Sequence, residues 1–259
     1  MQTMSRALPM HHSLQFRALS DEQIVRVYQA TLEALQRTGV NVLNAEARDL
    51  LAGAGAEVDG ERVTIPPHII QDAVAATPRS FPLWSRDGRP SLQVVPRNVY
   101  FGPGPTCTYT LDPETGERRH SRRGDPARAA RVSDALQEID YVMGLGLIDD
   151  APPELASVYE FAEMIANTTK RVLPWAHSLD NVRDMYEMGV AVAGSEAALR
   201  RRPFFGLFAT FQSPLQHTDE ELGNVLWAAE HGLPVVYIGG GAAGSTAPVA
   251  GAGRLVIYL

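Results

Sequence analysis

The chain holds one cysteine, one lysine, and no apolar run of membrane-spanning length that escapes glycine or proline. A lone Cys107 excludes a disulfide framework and any cysteine-built zinc site, and it fits a reducing, cytoplasmic compartment. Lys170 is the one lysine among 23 cationic residues, and the excess of arginine reads as coding bias, not as a binding surface. A net charge of −7 leaves no basic face of the kind nucleic acid requires. The charged stretch Glu117–Arg123 reads as a solvated hairpin arm. Residues 232–253 carry no charge, yet glycines and prolines interrupt them and they begin as a β-branched strand, so no membrane span is expected. No His-x-x-x-His spacing suggests a metal site. Residues 1–19 show no secretory pattern and read as a flexible leader.

What the chain does have is a repeat. Four apolar runs, Tyr141–Leu145, Arg171–Trp175, Pro203–Ala209 and Pro234–Ile238, begin about 30 residues apart, the size of one βα unit. Amphipathic stretches of helical period lie between them. Parallel strands need such crossovers, so residues 125–259 are expected to form a parallel α/β sheet, either open or half of a closed barrel. Residues 20–124 precede this repeat as a region of helices and hairpins. Ser20-Asp21-Glu22-Gln23 is a capping-box pattern before Ile24, Val27, Tyr28, Leu32 and Leu35, and Gly39 ends that helix. Helices are also expected over Ala45–Ala54 and from Pro66-Pro67 to Thr77, with a short strand at Arg62–Ile65 between them. Phe81–Ser85, Leu92–Val95, Val99–Phe101 and Thr106–Leu111 read as strands separated by turns at Asp87-Gly88, Pro96-Arg97 and Asp112–Gly116. Asp125-Pro126 reads as an N-cap with proline at the first helical position, and Ser178 and Thr218-Asp219-Glu220-Glu221 mark later helix starts.

Several segments, taken in order, resemble the corrinoid-dependent trimethylamine methyltransferase family. They are Arg62–Pro67, Tyr100–Gly104, Leu111–Arg119, Asn167–Lys170, Ser213-Pro214-Leu215 and Gly244–Pro248. The resemblance implies a TIM-type (β/α)₈ barrel, of which the repeat is the first half. It also implies transfer of a methyl group from trimethylamine, or from a quaternary amine such as glycine betaine, to the cobalt of a corrinoid held by a partner protein. No cofactor is then bound directly. Family members continue beyond the fourth strand. The pyrrolysine that marks the trimethylamine enzymes lies in that later half, so catalytic residues are expected outside this chain, and a non-catalytic fragment is the alternative. Half a barrel would leave strand edges open, and self-association into a homo-oligomer is expected from that.

Barrel sites lie at the C-terminal ends of strands, and a cationic substrate calls for aromatic faces and carboxylates. Those rules select Asp149, Trp175, His177, Gln212, Gly240 and Thr246 as substrate-binding candidates. Each has a plainer reading. Asp149 and Asp150 suit a cap on the following helix, Trp175 suits packing, and His177 suits a loop. His217 is expected to be structural or exposed, Cys107 to be a buried small side chain, and Tyr100 and Tyr109 to be packing residues. Gly239–Gly244 satisfies G-x-G-x-x-G after a strand, which allows a nucleotide-binding alternative. No acidic residue follows it, and glycines there also permit close approach of another group.

Overall fold

The computed structural model describes residues 17–96 and 98–258 of a mixed α/β chain. Most of the expected leader, Arg97 of the Pro96-Arg97 turn, and Leu259 lie outside the described residues. The described chain forms two units. One runs to Pro78 and takes in Ala209–Trp227 and the residues from Val236 onward; the other comprises Arg79–Phe208 and Ala228–Val235.

The first unit opens with α1 (Asp21–Arg37), and both halves of its capping box form: Ser20 Oγ accepts from Gln23 N–H, and the Gln23 side chain accepts from Ser20 N–H. Gly39, at φ 71°, takes the left-handed position that ends the helix, and a side chain there would strike Val63 O. β1 (Val40–Val42), α2 (Ala45–Gly53), β2 (Glu57–Asp59), β3 (Arg62–Thr64) and α3 (Pro67–Ala76) follow. β1 and β2 flank β3 antiparallel, and the later β11 (Gln216–His217) adds to β1 in parallel. The core of this unit is Val40, Val42, Ala47, Ala56, Val63 and Ile65, covered by Leu35, Ile69, Leu215 and Leu222.

The second unit begins with the hairpin β4 (Phe81–Trp84) and β5 (Pro90–Val94), then the hairpin β6 (Tyr109–Leu111) and β7 (Arg118–His120). No strand forms over Val99–Phe101. Instead Phe101 N–H donates to Asp140 Oδ2, and Phe101 O accepts from Asp140 N–H, so this backbone is spent on the approach to the next strand. The β6–β7 arm is fastened by Arg119, whose guanidinium donates to Asp112 and, in two-pronged fashion, to Asp125. Asp125 therefore lies in the first turn of α4 (Gly124–Ala135), not at the N-cap expected of it, because its carboxylate is taken by Arg119 and Arg122 N–H.

From α4 the expected alternation appears: β8 (Tyr141–Val142), α5 (Ala156–Asn167), β9 (Arg171–Val172), α6 (Leu179–Ala193), α7 (Glu196–Arg201) and β10 (Leu207–Phe211). Each strand lies within an apolar run singled out in the sequence or overlaps it. β8 and β9 pair in parallel, Val172 bridges Phe205 in parallel, and Leu207 N–H reaches Pro234 O at 2.9 Å. Beyond β10 come α8 (Asp219–Glu230), β12 (Val235–Gly239), which pairs with β10, and α9 (Gly251–Tyr258). The four strands of the repeat thus lie side by side in chain order. Among the described residues they do not close into a barrel. Phe161 of α5 meets Phe205 at 5.0 Å between ring centroids, and Met164, Met185, Leu199 and Leu207 fill out this core.

Candidate functional site

Three of the six candidates meet in the first unit. Thr210 and Phe211 at the end of β10, Gln212 and Ser213 in the turn after it, Gly240 just past β12, and Thr246 line one cavity of 420 Å³. Two short loops build it. Gln212 and Gln216 exchange backbone hydrogen bonds at 2.8 and 3.0 Å across a tight turn. Ser213-Pro214 is cis, and Leu215 sits at φ 52°. The loop after β12 folds on itself through Ala242 N–H to Thr246 Oγ1 (3.0 Å), and through Ser245 and Ala247 N–H to Ala242 O. Ser213 Oγ donates to Thr246 O at 2.6 Å, which ties the loops together.

The glycines in this wall have a packing reason. A Cβ on Gly239 would run into the Phe211 ring, and one on Gly241 would meet Tyr258 Oη, Ala247 and Ser213 Oγ. Tyr258 Oη is buried there without a hydrogen-bond partner. Aromatic rings and a serine hydroxyl thus occupy the approach that the nucleotide reading would leave for a phosphate. No ionisable side chain lines this cavity.

Behind Phe211, still in this unit, His217 Nδ1 lies 2.7 Å from Tyr237 Oη. Burial pushes the His217 imidazole down, and burial together with the Glu221 charge pushes the Tyr237 phenol up to about 12. Both groups are therefore neutral at pH 7, and His217 is structural, as its position before a helix suggested. A smaller cavity of 160 Å³ beside them is walled by Leu35, Val40, Leu215, Val256 and Tyr258.

The other three candidates belong to the second unit. Trp175 and His177 follow β9 with their rings 4.9 Å apart between centroids and tilted by 51°. Trp175 is half-buried and His177 exposed. Asp149 is exposed, and its backbone N–H donates to Ser121 O. Its neighbour Asp150 accepts from Arg123 N–H, so it serves the start of α4 and not the helix that follows it in sequence. The cavity of 520 Å³ in this unit lies elsewhere, between α4, the β6–β7 arm and Gly144-Leu145-Gly146. Cys107 is on its wall and is exposed, contrary to the burial expected from its apolar neighbours. It pairs through a single bridge to Gly146 and has no flanking strand to cover it. Among the described residues no group of three or more His, Cys, Asp or Glu could hold a metal ion.

Sequence reasoning missed Thr210, Phe211 and Ser213, which shape the first cavity, and Glu160, a buried carboxyl in the second unit. Glu160 did leave a signal. Ser157, Phe161, Met164 and Ile165 form the buried stripe of α5 at helical spacing, and Glu160 falls within that stripe.

The family model described as trimethylamine methyltransferase (MTTB) matches residues 2–259. A trimethylamine methyltransferase MttB from Desulfitobacterium hafniense strain DCB-2 is 31% identical over 241 residues, which is 92% of this chain and 49% of that protein. The protein of the same name from Methanosarcina thermophila is 28% identical over 95% of this chain and 53% of its own length. A glycine betaine methyltransferase from Desulfitobacterium hafniense strain Y51 is 23% identical over 93% of this chain and 50% of its own length. The chain spans about half the length of the curated relatives it matches.

Proposed function

Because the chain belongs to the trimethylamine methyltransferase family, we propose that it supplies the amine-binding part of a cytoplasmic enzyme that moves a methyl group from a methylated amine to the corrinoid of a partner protein. The four consecutive βα units are read as the first half of a TIM-type barrel, which puts the ends of β10 and β12 at its mouth. The observation that carries the reading is the cavity there. Gln212, Gly240 and Thr246 converge at strand ends, in a setting without ionisable side chains and with the Phe211 ring in its wall.

A corrinoid held by the partner protein would supply the nucleophile for the methyl carbon, the electron pair of the broken C–N bond staying on nitrogen. The task of this chain is to hold a methylated nitrogen still, with its methyl groups against apolar and aromatic surface, where an alkylammonium gains about 0.5–2 kcal/mol over a ring face. Phe211 offers such a face. Orientation at this level can supply several kcal/mol of barrier lowering without any acid or base, which accords with the lack of one in the cavity.

The test is direct. A full-length version, in which this chain is joined to the later half of the family's barrel, is mixed with a reduced corrinoid protein and a panel of tertiary and quaternary methylated amines, and the cobalt absorbance is followed. Conversion with one or more amines is expected, and an unchanged spectrum with the whole panel refutes the reading.

A further inference from the structure

We propose that the cavity between α4, the β6–β7 arm and Gly144-Leu145-Gly146 is a second binding site, for a small organic acid that carries one carboxylate on an uncharged, apolar body. Its walls all come from residues 107–146 of the second unit, and none of them serves the methyl transfer proposed above.

The cavity measures 520 Å³, within the roughly 300–1,000 Å³ of small-molecule sites. Tyr109, Leu111, Val132 and Leu145 line it, and all four are exposed. Apolar residues scattered singly over a surface need no explanation, whereas four around one concavity mark a place that something covers. The polar groups of the wall are few and unspent. Ser121 and Ser133 are 1% and 7% exposed, and both line the cavity. Among the described residues neither Oγ has a hydrogen-bond partner, although buried hydroxyls are normally paired. Ser121 Oγ lies against Gly146, where a Cβ would overlap it.

Charge gives the ligand its sign. From Arg118 to Arg131 the sequence holds six arginines and one acid, Asp125. That acid is already spent. Its oxygens accept from both terminal nitrogens of Arg119 and from Arg122 N–H, and the Arg119 guanidinium holds its carboxyl below the usual carboxylate range. Arg128, on the cavity wall, is left with Asp125 at 3.8 Å, too far for a hydrogen bond, as its ion-pair partner among the described residues. Arg118 lies over the Tyr109 ring, 3.8 Å from its centroid, and adds positive charge on the arm side. The wall thus offers a weakly held guanidinium, two unpaired hydroxyls and apolar surface. A carboxylate accepts from all of these donors, and its pairing with a guanidinium is the strong, two-pronged kind. A cation would meet repulsion there, and a neutral hydrocarbon would leave the donors unanswered.

Cys107 is the single cysteine of the chain and lies on this wall, so its alkylation reports on this cavity alone. Iodoacetate and iodoacetamide differ in carboxylate against amide, and the urea-unfolded chain supplies the reference ratio of their rates. In the folded chain iodoacetate is expected to gain about threefold or more over that ratio through local attraction. Arg128 is exposed, so Arg128→Gln alters charge and not packing, and it should remove the gain. Phenylacetate is expected to slow alkylation by iodoacetamide, whereas phenethyl alcohol and phenethylammonium at the same concentration leave it unchanged. Arg128→Gln should weaken the acid's protection about tenfold, the loss expected of a hydrogen bond to an ion. Ser133→Ala removes one donor without enlarging the side chain and should weaken it as well. Protection by the acid no better than by its alcohol overturns the carboxylate site, and so does protection that survives Arg128→Gln. No protection by any of the three overturns the cavity as a site, and each of these results leaves the methyl-transfer reading to the cobalt assay. Acid-selective protection that Arg128→Gln removes supports it, whatever the cobalt assay shows.

Discussion

At the scale of single residues, Glu160 and Gly144 act as one object. Glu160 is 9% exposed, no countercharge or hydrogen bond compensates it among the described residues, and burial pushes its carboxyl from 4.5 up to about 8. The unfolded chain loses this proton near pH 4.5 while the folded chain keeps it. Folding stability therefore falls as pH rises from about 4.5 to about 8 and levels off above that. Glu160→Gln removes the titration. At pH 8 it should be more stable than the parent by on the order of 1–3 kcal/mol, with the gap closing toward pH 4.5, as read by urea melts at each pH. The carboxyl has space because residue 144 is glycine: a Cβ there would overlap Glu160 Oε1. Gly144→Ala should thus destabilise by about 1–3 kcal/mol, and Glu160→Ala in the same chain should recover part of that loss. Two additive single-variant losses would show that the pair does not interact. The glycine itself is plain in the sequence, but the reason for it lies 16 positions away in α5, which no local pattern discloses. Cys107 failed for a related reason, since apolar neighbours predict burial only where another element covers them.

At the scale of elements, the strands of the repeat were legible because parallel strands covered on both faces become uninterrupted apolar runs. Their lengths were not. β8 and β9 pair over two residues each, since the ladder depends on a neighbour's register and not on the run itself. Helix starts were read correctly at Ser20 and Ser178, where a side chain caps its own helix; Asn44 and Ser195 cap theirs in the same way, and neither had been singled out. Cap signals misled where the partner is remote, as with Asp125 and Asp150. The end of α4 was invisible for the same reason. Lys170 closes it, its Nζ donating to Ser133 O in the last turn, Leu136 O at the C-cap and Ile139 O just beyond, at 2.7, 2.6 and 2.6 Å. Composition alone had made this lysine a survivor of coding bias, whereas its contacts make it a cap. Lys170→Met keeps the stem and removes three charge-assisted bonds, and should lower stability by about 2–4 kcal/mol in thermal and urea melts. Lys170→Arg should restore some of that loss, because a guanidinium still donates to carbonyls. A Met variant as stable as the parent would mean that water serves those carbonyls equally well.

At the scale of the whole molecule, the candidate site was half legible. The rule that ligands gather at strand ends found Gln212, Gly240 and Thr246, which meet in one cavity, and it also found Asp149, Trp175 and His177, which belong to the other unit. What it could not supply is the internal bonding of the loops, which decides whether a polar side chain still has a donor to offer. Surface tells a similar story. β12 pairs with β10, and Val236 and Ile238 on it are 37% and 45% exposed. Alternation would have placed polar residues there had this face evolved toward water, so the pattern belongs to a strand meant to be covered on both faces. A chain that presents such a strand, and that spans about half the length of its relatives, should associate with itself. Light scattering is expected to show a mass that grows with concentration in the micromolar range. Ile238→Lys should suppress that growth without lowering the melting temperature, since the side chain is exposed and a charge on an edge strand opposes pairing. A parent chain that stays monomeric across the range and melts cooperatively would mean that this apolar face is tolerated by water, and that the exposed strand drives no association.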